Sequence, residues 1–379
     1  MAALVATGGN DGDQAAERAG AGAQGEWGPM TASPLAHRIL AASAWTDDEL
    51  VVWGGRGCAA GRCDNETSAP FGDGAAYDPD ADRWRALAPS PLSARSGAAA
   101  AWTGDEVVMW GGRDASGPLV DGAAYDPEED SWRTISPSPL GARSVQATWT
   151  GEEVLLWGGT VAGSAGQDVF GDGAAYDPRA DRWRMLARAP LGARFDMVST
   201  WTGEELVVWG GRAGAANLDD GAAYAPASDT WRPISPSPLS SRVVRGVWTG
   251  AEVLVWGGER GAQALDDGAA YDPDADRWRG LAPSPLPARR GNALAWTGEE
   301  MLVWGGGGGT GSFFFGTGGG YTPSADTWRE LPSSPGRFIP EVVWTGDELV
   351  VWGGIVARGG AAPGAIEPAA DGVRYGPGA

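Results

Sequence analysis

Seven arginines at one recurrent sequence position could form an anion-binding site. Each follows Ser-Pro-Leu or a related segment, and we call them the ring arginines: Arg38, Arg95, Arg143, Arg194, Arg242, Arg289 and Arg337. Guanidinium groups that converge on one point bind carboxylates through charge-assisted hydrogen bonds, worth about 1.5–3 kcal/mol each. The alternative is that these arginines join neighbouring repeats through equally recurrent acids such as Glu106, Glu153 or Asp121.

A second group of polar residues interrupts segments that otherwise consist of Ala, Ser, Gly and Val. Its members are Gln146, Asp196, Arg245, Asn292 and Glu341. Polar and charged side chains are costly in such strands unless they are solvated or paired. Arg245 and Glu341 stand at the same distance before a recurrent tryptophan. We therefore expect this group, together with the ring arginines, to form the floor of a polar pocket.

Residues for catalysis are few. His37 is the single histidine, and no nucleophile motif stands out, which argues against a Ser-His-Asp triad. Glycosidase chemistry needs two acids in one pocket. Asp196 and Glu341 could supply them but lie three repeats apart. We expect no catalytic residue, metal or cofactor; the alternative is a carbohydrate-active enzyme that uses Asp196, Glu341 and Arg245.

Phenylalanines and cysteines occupy segments that vary between the repeats. Phe313, Phe314 and Phe315 are consecutive in a glycine-rich segment and are difficult to bury together, so we expect them to contact a partner. For other phenylalanines, such as Phe71, the alternative is that the ring holds its own loop in place. Cys58 and Cys63 share one loop and are candidates for a disulfide, which would require an oxidising compartment.

A repeat of about 50 residues must position these side chains. A segment such as Trp149–Gly159, with the sequence WTGEEVLLWGG, occurs seven times and begins at Trp45, Trp102, Trp149, Trp201, Trp248, Trp296 and Trp344. Each copy is followed by a tyrosine, and in most copies a Trp-Arg pair comes seven residues later. The repeats account for all 21 tryptophans and all 7 tyrosines of the chain.

Residue types indicate four short strands in each repeat. In the second copy, β-prone or small-residue runs lead into Trp102, into Trp110, through Tyr125 and through Trp132, separated by turns rich in Gly, Pro and Asp. Four short strands in a unit of this length are typical of a β-propeller blade. We therefore predict an all-β, seven-bladed β-propeller of four-stranded antiparallel blades, almost without helix.

The glycine pair, the tyrosine and the following tryptophan resemble the Kelch motif, and the resemblance covers residues 27–375 in all seven copies. One copy departs from it, because Gly318-Gly319-Gly320 replaces Asp-Gly-Ala before Tyr321. The resemblance implies that arginines at the recurrent position can rim a central pocket and bind carboxylates of acidic peptides. Kelch-type copper oxidases need two histidines, which this chain lacks. Carbohydrate-active Kelch proteins that epimerise sialic acid share no further motif with it.

Both ends of the sequence contribute to one blade. The last copy lacks its Trp-Arg pair, and the missing segment is matched by the stretch that opens at Trp27. We predict that this N-terminal strand completes the last blade and closes the ring. Residues 27–379 then form one domain. Residues 1–26 are expected to be a disordered leader or linker, with no signal peptide visible.

Charge excludes some classes of partner. The formal net charge is −21, which argues against nucleic acid and anionic membranes as partners. No run of 18 apolar residues is present, so we expect no membrane insertion. Every basic residue is arginine, and Gly, Ala and Pro are abundant, as is typical of a G- and C-rich genome. We expect a bacterial, monomeric protein; the disulfide would favour a compartment outside the cytoplasm.

The two faces of the predicted propeller differ. One carries uniform acidic turns, and the other carries variable loops, the phenylalanines and the ring arginines. Variable loops on a rigid scaffold usually carry binding sites. We therefore expect a non-enzymatic binding module that recognises an anionic protein segment or glycan at the second face. A structural scaffold is the further alternative, and a channel plugged by side chains would favour it.

Overall fold

The computed structural model describes residues 25–57, 69–161, 168–308, 314–357 and 366–376. Within these ranges the chain forms strands and turns without helix, and seven four-stranded antiparallel sheets follow one another around a ring. The innermost strand of each sheet contacts that of the next, and the last contacts the first. The predicted seven-bladed β-propeller is thus confirmed.

The first strand, β1 (Glu26–Pro29), belongs to the last blade. The strands of blades one to three, from the channel outward, are β2 (Ala42–Trp45), β3 (Leu50–Trp53), β4 (Gly74–Asp78) and β5 (Arg83–Ala86); β6 (Ala99–Trp102), β7 (Val107–Trp110), β8 (Gly122–Asp126) and β9 (Ser131–Thr134); β10 (Ala147–Trp149), β11 (Val154–Trp157), β12 (Gly173–Asp177) and β13 (Arg182–Met185).

Blades four to seven follow the same order. Their strands are β14 (Val198–Trp201), β15 (Leu206–Trp209), β18 (Gly221–Ala225) and β19 (Thr230–Pro233); β20 (Gly246–Trp248), β21 (Val253–Trp256), β24 (Gly268–Asp272) and β25 (Arg277–Gly280); β26 (Ala293–Trp296), β27 (Met301–Trp304), β28 (Gly318–Thr322) and β29 (Thr327–Leu331); β30 (Glu341–Trp344), β31 (Leu349–Trp352), β34 (Gly372–Gly376) and β1.

Three short hairpins extend the connections between the second and third strands. They lie in blades four, five and seven and consist of β16 (Arg212–Ala213) with β17 (Ala216–Asn217), β22 (Glu259–Arg260) with β23 (Gln263–Ala264), and β32 (Ile355–Ala357) with β33 (Ile366–Pro368). These connections lie on the face that the sequence predicted to be variable.

The core lies between the blades. The second strand of each blade is buried along its whole length, and small residues of the third strand allow neighbouring sheets to pack closely. Gly122, which opens β8, shows how tight this packing is. A Cβ at this position would lie 2.6 Å from the carbonyl oxygen of Met109 and 2.7 Å from the Ile135 side chain.

A second set of arginines joins the blades near the outer strands. Arg133 pairs with Glu106 of its own blade, and its Nη1 donates to the Tyr176 hydroxyl of the next blade over 3.2 Å. The Tyr176 hydroxyl donates in turn to Asp181. The Arg–Tyr bond recurs at all seven blade interfaces, including that from Arg374 of the last blade to Tyr77 of the first.

The ring is closed by β1, as the sequence predicted. β1 pairs antiparallel with β34, and Trp27 lies opposite Tyr375. The indole Nε1 of Trp27 donates to the Pro332 carbonyl over 2.8 Å, and its ring packs 4.7 Å from that of Trp304. The leader expected at the N-terminus falls mostly outside the described residues and stays a prediction.

Candidate functional site

The central channel opens into a cavity of about 880 Å³. All seven blades contribute to its lining, mainly through the connections that lead into the innermost strands. Every member of the polar group predicted from the sequence lies there: Gln146, Asp196, Arg245, Asn292 and Glu341. We call this cavity the channel mouth.

The ring arginines are buried inside the blades, each with 2 % or less of its surface exposed. Arg242 is representative: its Nη1 donates to the Gly257 carbonyl over 3.2 Å and to the Asp267 carboxylate over 2.7 Å. Six of the seven bind an aspartate in this way, whereas Arg289 binds Thr317. Among the residues that the structure describes, those lining the channel mouth do not include a ring arginine.

The backbone of the ring arginines holds neighbouring blades together. The amide of Gly112 in blade two donates to the carbonyl of Arg143 at the start of blade three, and five other interfaces repeat this bond. Of the acids named as alternative partners, Asp121 does pair with Arg95 over 2.8 Å. Glu106 and Glu153 instead pair with outer-strand arginines.

The described phenylalanines pack against residues of the same chain. Arg38, Arg143 and Arg289 stack over a phenylalanine ring at centroid distances of 4.4, 3.7 and 4.6 Å, the rings being those of Phe71, Phe170 and Phe315. Phe314 stacks on Phe338 at 5.5 Å. Phe313, Cys58 and Cys63 lie outside the described residues, so partner contact by Phe313 and the Cys58–Cys63 disulfide stay predictions.

The length of the connection that leads into the innermost strand divides the blades into two classes. The ring arginine stands seven positions before the inner tryptophan in five blades, but six positions before it in blades three and five. In the five longer connections the residue two after the arginine has a left-handed backbone, with φ between 45 and 67°. These five residues are Leu40, Gly97, Asp196, Gly291 and Ile339.

The shorter connections direct polar side chains into the channel mouth. Gln146 and Arg245 precede the innermost strands of blades three and five, and both side chains are exposed. At the same distance before the tryptophan, the longer connections bury small or aliphatic residues such as Ala99 and Val198. Glu341 is the exception, since it is a charged residue at this position of a longer connection and remains partly exposed.

Glu341 and Arg245 have different environments despite their equal spacing from a tryptophan. Ser43 of blade one donates to Glu341 Oε2 over 2.6 Å. Burial raises the pKa of Glu341, while the Ser43 hydrogen bond and the charge of Arg245 act in the opposite direction. Arg245 forms no hydrogen bond or close ion pair with any described residue and is the unpaired cation of the described channel mouth.

Two ion pairs complete the rim of the channel mouth. Arg212 binds Asp196 over 2.6 Å and lies over Phe195, and Arg290 binds Glu259 over 2.6 Å. The sequence interpretation overlooked Arg212 and Glu259. Both stand directly after a glycine pair, where the residue type changes from blade to blade, and that variation was the available signal.

The other polar side chains of the channel mouth offer limited means for catalysis. Asn292 Nδ2 donates to the neighbouring Ala293 carbonyl over 3.2 Å. Of the two acids considered for glycosidase chemistry, Asp196 is held by Arg212 and Glu341 by Ser43. In the described ranges, His, Cys, Asp and Glu side chains form no cluster suited to a metal ion. No described helix is long and apolar enough to cross a membrane.

Comparison with known proteins agrees with this architecture. Residues 144–354 match the model of the KLHDC2/KLHL20/DRC7 Kelch-repeats domain. A search of curated proteins found no match. The matched segment runs from the start of blade three to the glycine pair of blade seven and covers more than half of the chain. With its seven blades and its closing strand, the chain belongs to the Kelch-repeat domain family.

Proposed function

We propose that this protein is a non-enzymatic binding module that takes an anionic segment of a partner protein at the channel mouth. Kelch-repeat propellers are typically protein-binding modules. The channel mouth is open rather than plugged by side chains, and its volume of about 880 Å³ falls within the range of ligand pockets. An open mouth favours binding over a purely structural scaffold.

The unpaired guanidinium of Arg245 carries the proposal. The neighbouring cations of the rim, Arg212 and Arg290, are each neutralised by an acid at 2.6 Å. Arg245 keeps its five N–H donors available in a cavity that protein surrounds. Because charges attract more strongly where protein replaces water, a carboxylate gains more here than on an open surface.

A thermal-shift titration with acidic peptides tests the anion site. We expect Glu- and Asp-rich peptides to raise the melting temperature of the wild type, since a ligand that binds the native state stabilises it. Arg245→Ala should weaken binding by about 10- to 100-fold, the loss of one charge-assisted contact. Arg260→Ala is the matched control, because Arg260 is exposed on β22 of the same blade without lining the channel mouth.

Three outcomes would count against the proposal. An equal response of wild type and Arg245→Ala would remove the site from the channel mouth. No response to any acidic peptide would remove the anionic protein segment as the ligand. A response to acidic sugars alone would assign the site to a glycan.

One observation favours the carbohydrate-active enzyme as a second candidate. The raised pKa of Glu341 is a property that general acids share. Its partner acid would be Asp196, which Arg212 holds. If the protein turns over acidic glycans, Glu341→Gln should abolish the release of reducing sugar. Glycan binding without turnover would exclude this candidate.

A further inference from the structure

Two aliphatic residues that line the channel mouth, Leu40 and Ile339, have an unfavourable backbone conformation. Leu40 has φ 55° and Ile339 has φ 45°, both in the left-handed region. They occupy equivalent positions in blades one and seven, which are neighbours in the ring. Blades two and six have glycine at this position, Gly97 and Gly291.

The left-handed region disfavours both side chains. The Cβ atom clashes with the following carbonyl oxygen there, and a β-branched residue such as Ile339 is affected most. Two backbone hydrogen bonds to the equivalent glycines hold the conformation. The Gly97 amide donates to the Leu40 carbonyl over 2.8 Å, and the Ile339 amide donates to the Gly291 carbonyl over 2.7 Å.

Packing in the core does not explain why aliphatic residues occupy these two positions. Neither Leu40 nor Ile339 joins a hydrophobic core cluster of the described chain. Leu40 is 41 % exposed, and both residues line the channel mouth. In the shorter connections, by contrast, Val145 and Val244 stand two residues after the ring arginine and pack against the core.

Residues with a strained backbone conformation often mark functional sites. We propose that Leu40 and Ile339 form an apolar subsite for a large aliphatic or aromatic side chain that lies next to the carboxylates of the bound segment. This inference rests on the proposed function, because Arg245 of the same cavity selects the anionic partner. The partner is thus a protein segment in which an apolar residue accompanies Asp or Glu.

Burial of apolar surface supplies the affinity at such a subsite. The carboxylates of the bound segment contact Arg245 in blade five. Its apolar side chain packs on Leu40 of blade one and Ile339 of blade seven, which line the same cavity. Acidic segments without an apolar residue should therefore bind more weakly. We expect a preference of about tenfold, which corresponds to the burial of part of one large side chain.

Two synthetic peptide libraries test the subsite. Both have equal length and equal numbers of Asp and Glu, but one contains Leu and Phe where the other contains Ser. The wild type should prefer the apolar library by about tenfold. The double variant Leu40→Gly with Ile339→Gly should lose the preference but still bind acidic peptides. Its melting temperature should stay the same or rise, because glycine adopts this conformation freely.

Matched variants separate the two proposals. Met185→Ala is the control for lost apolar surface, since Met185 is 46 % exposed on β13 and does not line the channel mouth; it should keep the preference. If the wild type binds both libraries equally, the apolar subsite is excluded while the anion site remains. If it binds neither, both proposals fail. A lower melting temperature in the double glycine variant would make the two side chains structural and overturn the inference.

Discussion

Arg242 and Arg245 stand three residues apart and have opposite roles. Arg242 is fully buried and has hydrogen-bond partners inside its blade, whereas Arg245 is exposed in the channel mouth. A guanidinium has donors in a fixed fork, so it is stable in the interior only where acceptors match that fork. The Gly257 carbonyl and the Asp267 carboxylate supply this match for Arg242.

Glu341 is the titratable residue of the channel mouth whose replacement should change stability by an amount that depends on pH. Its pKa lies above the ordinary value of 4.5, so the native protein disfavours the carboxylate. Below that value the acid is neutral in both folded and unfolded states, and ionisation has no effect on stability. As pH rises through the pKa of the folded state, ionisation destabilises the native protein.

We therefore expect Glu341→Gln to raise the melting temperature at neutral pH and to lose this advantage below about pH 4.5. The Gln amide oxygen can still accept the hydrogen bond from Ser43. Melting curves between pH 4 and 8 would measure the effect, with the exposed turn residue Glu299 replaced by Gln as the control. Equal pH dependence of the two variants would refute the explanation.

The connection between the outer strand of one blade and the inner strand of the next is the element that the ring arginines stabilise. The side chain of each arginine links this connection to the glycine pair of its own blade. In six of them the backbone carbonyl also accepts a hydrogen bond from a glycine amide of the preceding blade. Breaking such a buried network leaves acceptors without partners. The ring arginines thus act as internal supports of the loops that form the channel mouth.

Arg242→Ala should reduce the free energy of unfolding by roughly 3 kcal/mol, because it removes a fully buried side chain and takes a donor from the buried Gly257 carbonyl. Arg242→Lys should also destabilise the protein, because a single ammonium cannot reproduce the fork. Arg245→Ala should change stability by no more than about 0.5 kcal/mol. Denaturant unfolding measures all three. If Arg242→Ala kept its stability yet lost peptide binding, the ring arginines would be ligand-binding residues, as the sequence first suggested.

Closure of the ring is a property of the whole molecule. In six blades the outer strand follows the third strand after a short turn, but β1 reaches blade seven from the other end of the described chain. If β1 detaches, no short turn keeps it near β34. The loop that must close to restore the pairing is then the entire propeller, and closure entropy grows with that length.

Trp27→Ala should therefore accelerate amide hydrogen exchange in β1 and β34 more than Trp132→Ala does in β9 and β8. Both tryptophans occupy the outer strand of a blade, pack on a tyrosine at about 5 Å and donate to a backbone carbonyl of a neighbouring blade. The chain connection is the main difference between them. Equal acceleration in the two variants would show that chain connectivity does not weaken the closing blade.

Much of the architecture was predictable because the same local pattern occurs seven times. A tryptophan, a turn, a β-prone run and a glycine pair specify two strands wherever they occur, and repetition makes each copy support the others. Closure was predictable from a count, since the last copy lacks a tryptophan that Trp27 supplies. The polar group that includes Arg245 was visible for the same reason, because it breaks a repeated pattern.

The direction of each side chain depended on the three-dimensional arrangement. All ring arginines share one motif, and nothing local to that motif says that a guanidinium points into its blade. The glycine-pair carbonyl and the acid or threonine that bind its Nη atoms come from segments 15 to 35 residues away. The left-handed conformation of Leu40 and Ile339 is likewise specified by neighbouring blades. A difference of one residue before β20 directs Arg245 into the channel. Strand patterns are encoded along the chain, whereas exposure, pairing and strain arise only when the blades meet.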